Sequence, residues 1–234
     1  MKNRTKSSIV RTTFTALFAA LICLGCVISI RLPGGVPITV QNLFAMLAAL
    51  VLGGLQGAGA VGLFLVLGIL GLPVFSGATG GWAIFVGPTG GFLWGYFLAA
   101  VVAGLIAGTP FVEEKKFKLK NWLKLALASL VGFALIYAPG IPWFIHVMAG
   151  KGNPVNFTKA LEYTLIPFIP GDLLKFLVSV PLAAILRPVA ARYLYPDDEA
   201  EMEEIIGELE KRKRFLDKLG KKKSGGKSDS ESEK

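Results

Sequence analysis

Between Arg31 and Glu113 the chain reads LPGGVPITVQNLFAMLAALVLGGLQGAGAVGLFLVLGILGLPVFSGATGGWAIFVGPTGGFLWGYFLAAVVAGLIAGTPFV, residues 32–112, without one charged side chain. A soluble domain needs interspersed surface charge to stay in solution, so 81 consecutive uncharged residues exclude that class. The rest of the chain agrees: 53% of its 234 residues are hydrophobic and only 18% are charged, against about 25% in ordinary soluble domains. The net charge is nevertheless +9. Apolar character and positive charge must therefore sit in different places, as in an integral membrane protein with basic segments at its ends. Disordered, disulfide-stapled and nucleic-acid-binding classes do not fit the body of the chain.

A membrane-spanning helix takes about 20 largely apolar residues. Working outward, Gly and Pro clusters at Gly53-Gly54, Gly71-Leu72-Pro73 and Gly77 to Gly90 divide the uncharged stretch into helices near 38–56, 58–75 and 90–108. Before it, 12–30 reads as a first span. After it, 122–144 and 171–190 read as a fifth and a sixth, with Pro181 expected to kink the last. The expected fold is an all-α membrane protein of six transmembrane helices, with residues 1–11 and 196–234 outside the 12–195 membrane domain. Basic residues test the orientation. Four lie before the first span, five between the fourth and fifth (Lys115 to Lys124), and twelve from Arg187 onward. Only Arg31, Lys151 and Lys159 fall on the opposite side, so both termini are expected in the cytoplasm. In the tail, Met202, Ile205, Ile206, Leu209, Leu216 and Leu219 recur near helical spacing, an amphipathic helix before a basic end.

Several motifs are coincidental. Gly57-Ala58-Gly59-Ala60-Val61-Gly62 spells the dinucleotide fingerprint, but the next acid is Glu113 and no βαβ unit surrounds it. Small residues that let helices approach closely explain it, as they do Gly91, Gly95, Ala99 and Ala103. Cys23 and Cys26 read as two small buried thiols. Gly225-Gly226-Lys227-Ser228 ends like a phosphate loop with its first glycine out of register, so the chain has no nucleotide-binding motor. His146 has no second ligand nearby, and no metal site is expected.

Asp172 and Lys175 break the charge segregation. Charges at membrane depth cost about 2.5–3.5 kcal/mol on insertion scales and mark substrate or ion paths. Their spacing of three places both on one helical face, in the first turn after Pro170-Gly171. One reading is an ion pair that locks the helix to its neighbours. The other is a site for a small polar molecule bearing N–H donors together with a carbonyl or carboxylate, supplemented by Gln41 and Thr79. Trp82, Phe85, Trp143 and Tyr163, on the same side, could wall a ligand or form an interfacial belt.

Val36-Pro37-Ile38-Thr39-Val40-Gln41-Asn42, Gly71-Leu72-Pro73-Val74-Phe75, Gly87-Pro88-Thr89-Gly90-Gly91 and Pro170-Gly171-Asp172-Leu173-Leu174-Lys175 follow one another in this order. With six spans, the set resembles the BioY family, the biotin-specific substrate-binding (S) components of energy-coupling factor (ECF) transporters, over about residues 10–195. The resemblance implies the six-helix S-component fold and a biotin pocket open to the outside. It assigns the biotin head group to Asp172 and Lys175, a polar contact to Thr79 and a family glutamine to Gln41. Tyr163 and Trp82 remain candidate ligand walls, and Ala16 and Ala20, four apart on the first helix, fit the surface that docks a transmembrane coupling protein. The partners implied are that protein, two ATPase subunits and membrane lipid, with no cofactor and no catalytic residue. Phe92 stands where the family commonly has Tyr, and the tail is longer than the family needs. Rival readings are an S component for another vitamin and a secondary transporter in which Asp172 carries a coupled proton.

Overall fold

The computed structural model describes residues 2–31, 36–110, 119–195 and 207. The chain divides into two units, residues 1–194 and 195–234. The amphipathic helix expected near 202–219 falls outside the described residues, apart from Gly207.

The fold is built from helices α1 (Lys2–Leu24), α2 (Gln41–Leu52), α3 (Gly54–Ile69), α4 (Trp82–Phe85), α5 (Gly90–Ala107), α6 (Leu119–Gly150), α7 (Phe157–Thr164) and α8 (Ile169–Leu194). A short antiparallel hairpin of β1 (Ser29–Arg31) and β2 (Pro37–Thr39) joins α1 to α2, with Ser29 opposite Thr39 and Arg31 opposite Pro37. Among the described residues, three helical stretches are long and apolar enough to cross a membrane: Gly90–Ala107, Leu119–Gly150, and Phe157–Leu194, which takes in α7 and α8. Ser8–Leu24, α2 and α3 are shorter apolar helices. Leu105, Leu123, Leu127, Leu130, Leu177 and Ile185 are all exposed, a surface that only an apolar solvent accommodates.

The segment expected as the first span, 12–30, is divided. The helix begins ten residues earlier, so the basic N-terminal residues lie on it, and it ends at Leu24. Gly25 follows, and the β-branched Val27, Ile28 and Ile30 favour extended backbone over another helical turn. The second and third spans are also shorter than 38–56 and 58–75. At 12 residues, α2 measures about 18 Å, well under a bilayer's hydrocarbon thickness. Its sequence is apolar all round because the helix is enclosed by α1, α3, α5, α6 and α8 rather than because it faces lipid. Gly53 provides the abrupt break between α2 and α3: its φ is +67°, and a Cβ there would lie 2.0 Å from the Gly108 carbonyl oxygen. α8 runs unbroken through Pro181 and Pro188.

The small residues of α5 do what their spacing suggests. A Cβ on Gly91 would meet the Trp143 Cβ at 2.4 Å, and one on Gly95 would meet the Ile136 carbonyl oxygen at 2.4 Å. Ala99 and Ala103 continue the same buried face, giving the α5–α6 contact its close approach. Gly57 packs on Ala48 and Ala49 of α2 in the same way.

Arg187 corrects a second expectation. Charge patterning groups it with the basic residues beyond the last span, yet it lies inside α8 and is fully buried. Its guanidinium donates to the Leu50 carbonyl at 2.5 Å and to those of Ala107, Gly108 and Thr109 at 3.1, 3.3 and 3.0 Å. These belong to the C-terminal ends of α2 and α5, where backbone carbonyls lack helical partners and the dipole favours a cation.

Gly95→Leu should force α5 and α6 apart. Overpacking of this kind costs about 1–3 kcal/mol. The expected outcome is a lowered melting temperature of the detergent-solubilised protein, read by intrinsic tryptophan fluorescence.

Candidate functional site

The site begins with the two charges inside an apolar chain. Asp172 lies in the first turn of α8, where the helix dipole favours a carboxylate, and Lys175 follows one turn later. Both are about nine-tenths buried, and Lys175 Nζ donates to Asp172 Oδ1 at 3.1 Å. Asn42, in the first turn of α2, donates its Nδ2 to the same oxygen at 3.0 Å. Tyr137 of α6 donates its hydroxyl to Oδ2. One carboxylate thus gathers side chains from three helices.

The three partners of Asp172, namely Asn42, Tyr137 and Lys175, border a cavity with two arms. The larger, about 270 Å³, is walled by α5, the β2 segment and the loop before α4; the smaller is about 30 Å³. Val36, Pro37, Thr39, Phe92 and Tyr96 line both, so the arms adjoin. Asn42, Tyr137, Thr164 and Lys175 face the smaller arm. Together the arms lie at the lower end of the size range of small-molecule sites, about 300–1,000 Å³.

The expected site residues distribute unevenly around this cavity. Gln41 lines the larger arm and is almost fully buried; its Nε2 donates to the Val74 carbonyl at 2.7 Å and to that of Ile22 at 3.3 Å. It therefore tethers the ends of α1 and the Gly71–Phe75 turn. Thr79 also lines this arm. Its hydroxyl donates to the Ser76 carbonyl at 3.0 Å, and its backbone pairs with Phe75 in both directions. Trp82 is 62% exposed and packs on Phe85, with ring centroids 5.6 Å apart; it is absent from the lining of either arm. Tyr163 is half-buried on α7, whose contribution to the cavity is the neighbouring Thr164. Trp143 anchors the wall by donating its indole N–H to the Gly87 carbonyl at 2.9 Å. Ala16 and Ala20 lie far along the chain from these residues, exposed on one face of α1.

Three polar residues emerge from the structure alone. Asn42 sits beside Gln41 in the sequence, but on a helix adjacent residues point apart, and the structure turns it to Asp172. Tyr137 lies within an apolar run where a single Tyr reads as packing. Tyr96 follows Phe92 by one helical turn and lines the same arms, so a phenolic hydroxyl is available although Phe92 lacks one. Phe92 itself meets the Tyr137 ring edge-on at 6.0 Å.

Comparison with known proteins is consistent throughout. The chain is 44% identical over 173 residues to the biotin transporter BioY of Rhodobacter capsulatus, spanning 71% of this chain and 87% of that protein. It is 38% identical over 174 residues to the biotin transporter BioY of Thermotoga maritima, spanning 73% and 92%. Among solved structures, the S-component for biotin from an ECF-type ABC transporter superposes with a TM-score of 0.64 at 30% identity, covering 80% of this chain and 94% of that one. Residues 1–192 match the BioY family, and the chain belongs to it.

Proposed function

We propose that this chain is the biotin-capturing membrane component of an uptake transporter, and that the two-armed cavity is its biotin site. It is a transporter component and not an enzyme. The observation that carries the site assignment is the Asp172–Lys175 pair, held with Asn42 and Tyr137 at one arm of an otherwise largely apolar cavity. Biotin's ureido ring carries two N–H donors and one carbonyl acceptor. Asp172 accepts from a ring N–H, and Lys175, which uses one of its three N–H groups on Asp172, donates to the ring carbonyl. The thioether ring and aliphatic valerate suit the Phe75, Phe92 and Leu93 walls of the larger arm, with Thr79 among its polar contacts. Trp82 and Tyr163 act as outer aromatics on this reading rather than as direct contacts.

The chain crosses the membrane several times, and six spans with both termini in the cytoplasm fit its basic-residue distribution. Release inside is driven by partners: a transmembrane coupling protein and two ATPase subunits. Ala16 and Ala20, small and exposed on α1, are the surface for the coupling protein, because small side chains let a partner helix approach closely.

Asp172→Asn and Lys175→Ala each leave a buried polar group without its partner, so each should weaken biotin binding by at least about tenfold. A fluorescence titration of the detergent-solubilised protein measures this; unchanged affinity would refute the assignment. Ala16→Trp with Ala20→Trp should abolish ATP-dependent biotin uptake and co-purification of the coupling protein while leaving biotin affinity within about threefold, since neither residue lines the cavity.

A further inference from the structure

Among the described residues, one buried side-chain polar atom has no hydrogen-bond partner: Oδ1 of Asn42. Buried polar atoms are nearly always paired, so an orphan asks for a reason. The orientation of this amide follows from chemistry. Its neighbour at 3.0 Å is Oδ1 of Asp172, a carboxylate oxygen that can only accept, so Asn42 presents its NH₂ group there and its carbonyl oxygen points elsewhere. Asn42 is 6% exposed and lines the smaller arm beside Lys175 and Tyr137.

The surrounding groups define what would satisfy that oxygen. The Tyr137 hydroxyl gives its hydrogen to Asp172 Oδ2, and one Lys175 N–H goes to Asp172 Oδ1. Of the roughly four lone-pair sites on the carboxylate, three are taken by Asn42, Lys175 and Tyr137, leaving one. Asn42, which lines the arm, thus carries one unpaired acceptor, and Asp172, bonded to three residues that line it, carries another beside the spare N–H groups of Lys175. We propose that Asn42 is a ligand-binding and specificity-determining residue: its carbonyl oxygen accepts one ring N–H of the ligand while Asp172 accepts the other. The site then selects cyclic ureas that retain both N–H donors. This inference rests on the biotin reading of the site and extends it to the residue that reads the second nitrogen.

The test pairs a protein change with a ligand change. Binding is titrated for biotin and for its two cyclic carbamate analogues, each with one ring N–H replaced by oxygen at nearly unchanged shape. The wild type should bind each carbamate at least about tenfold more weakly than biotin, because each leaves one acceptor facing a ring oxygen. In Asn42→Leu the penalty on one carbamate should shrink to within about threefold, and the penalty on the other should stay near tenfold. Asn42→Ser, which is smaller, should give the same pattern and serves if Asn42→Leu does not fold. A merely structural Asn42 would weaken all three ligands equally; persistence of both penalties in the variants overturns the assignment. A wild type that binds the carbamates as tightly as biotin overturns it too. A wild type that does not bind biotin overturns the underlying reading, and this assignment with it.

Discussion

The carboxylate of Asp172 is the constraint on which the cavity's geometry depends. An acid at membrane depth is costly unless its charge and lone pairs are met, and here they are met by Lys175 on its own helix, Asn42 on α2 and Tyr137 on α6. Satisfying one buried group fixes the relative positions of three helices. It also fixes the rotamers of the polar side chains that border the smaller arm. A purely apolar junction could pack as well, but it would not determine which atoms the helices present to a ligand.

The opposite end of α8 repeats the device with the opposite sign. Arg187, fifteen residues beyond Asp172 and about 22 Å along the helix, gathers the carbonyl ends of α2 and α5. α2 is thus held near both of its ends by charged residues of α8: by a carboxylate at its N-terminus, through Asn42, and by a guanidinium at its C-terminus. This arrangement explains how a 12-residue helix, too short to span a bilayer, serves as the centre of the fold.

What the sequence discloses and what it conceals follow from the physics of each signal. The charge-free stretch, the breaks at Gly53 and Gly90, and the helix-contact face of Gly91, Gly95, Ala99 and Ala103 are local patterns with one physical meaning, and all appear in the structure. The i,i+3 relation of Asp172 and Lys175 is equally local, and the 3.1 Å contact follows from helical geometry. Hydropathy reports how apolar a segment is, not whether lipid or protein surrounds it, so the enclosed α2 reads like a lipid-facing span. Arg187 escapes for a related reason: its partners are backbone carbonyls of distant helix ends, which carry no side-chain signature. Asn42 and Tyr137 meet Asp172 across 130 and 35 residues of chain, a juxtaposition that only the folded topology makes.

The central claim is that a ureido ring sits against Asp172, Lys175 and Asn42, with the aliphatic tail in the larger arm. The structure of the biotin complex tests it most directly. The account predicts the ureido nitrogens within hydrogen-bond distance of Asp172 and Asn42, the ring carbonyl on Lys175, and the valerate running past Phe92 toward Thr79. Biotin bound with its ring at the Thr79 end, or outside this cavity altogether, would contradict it.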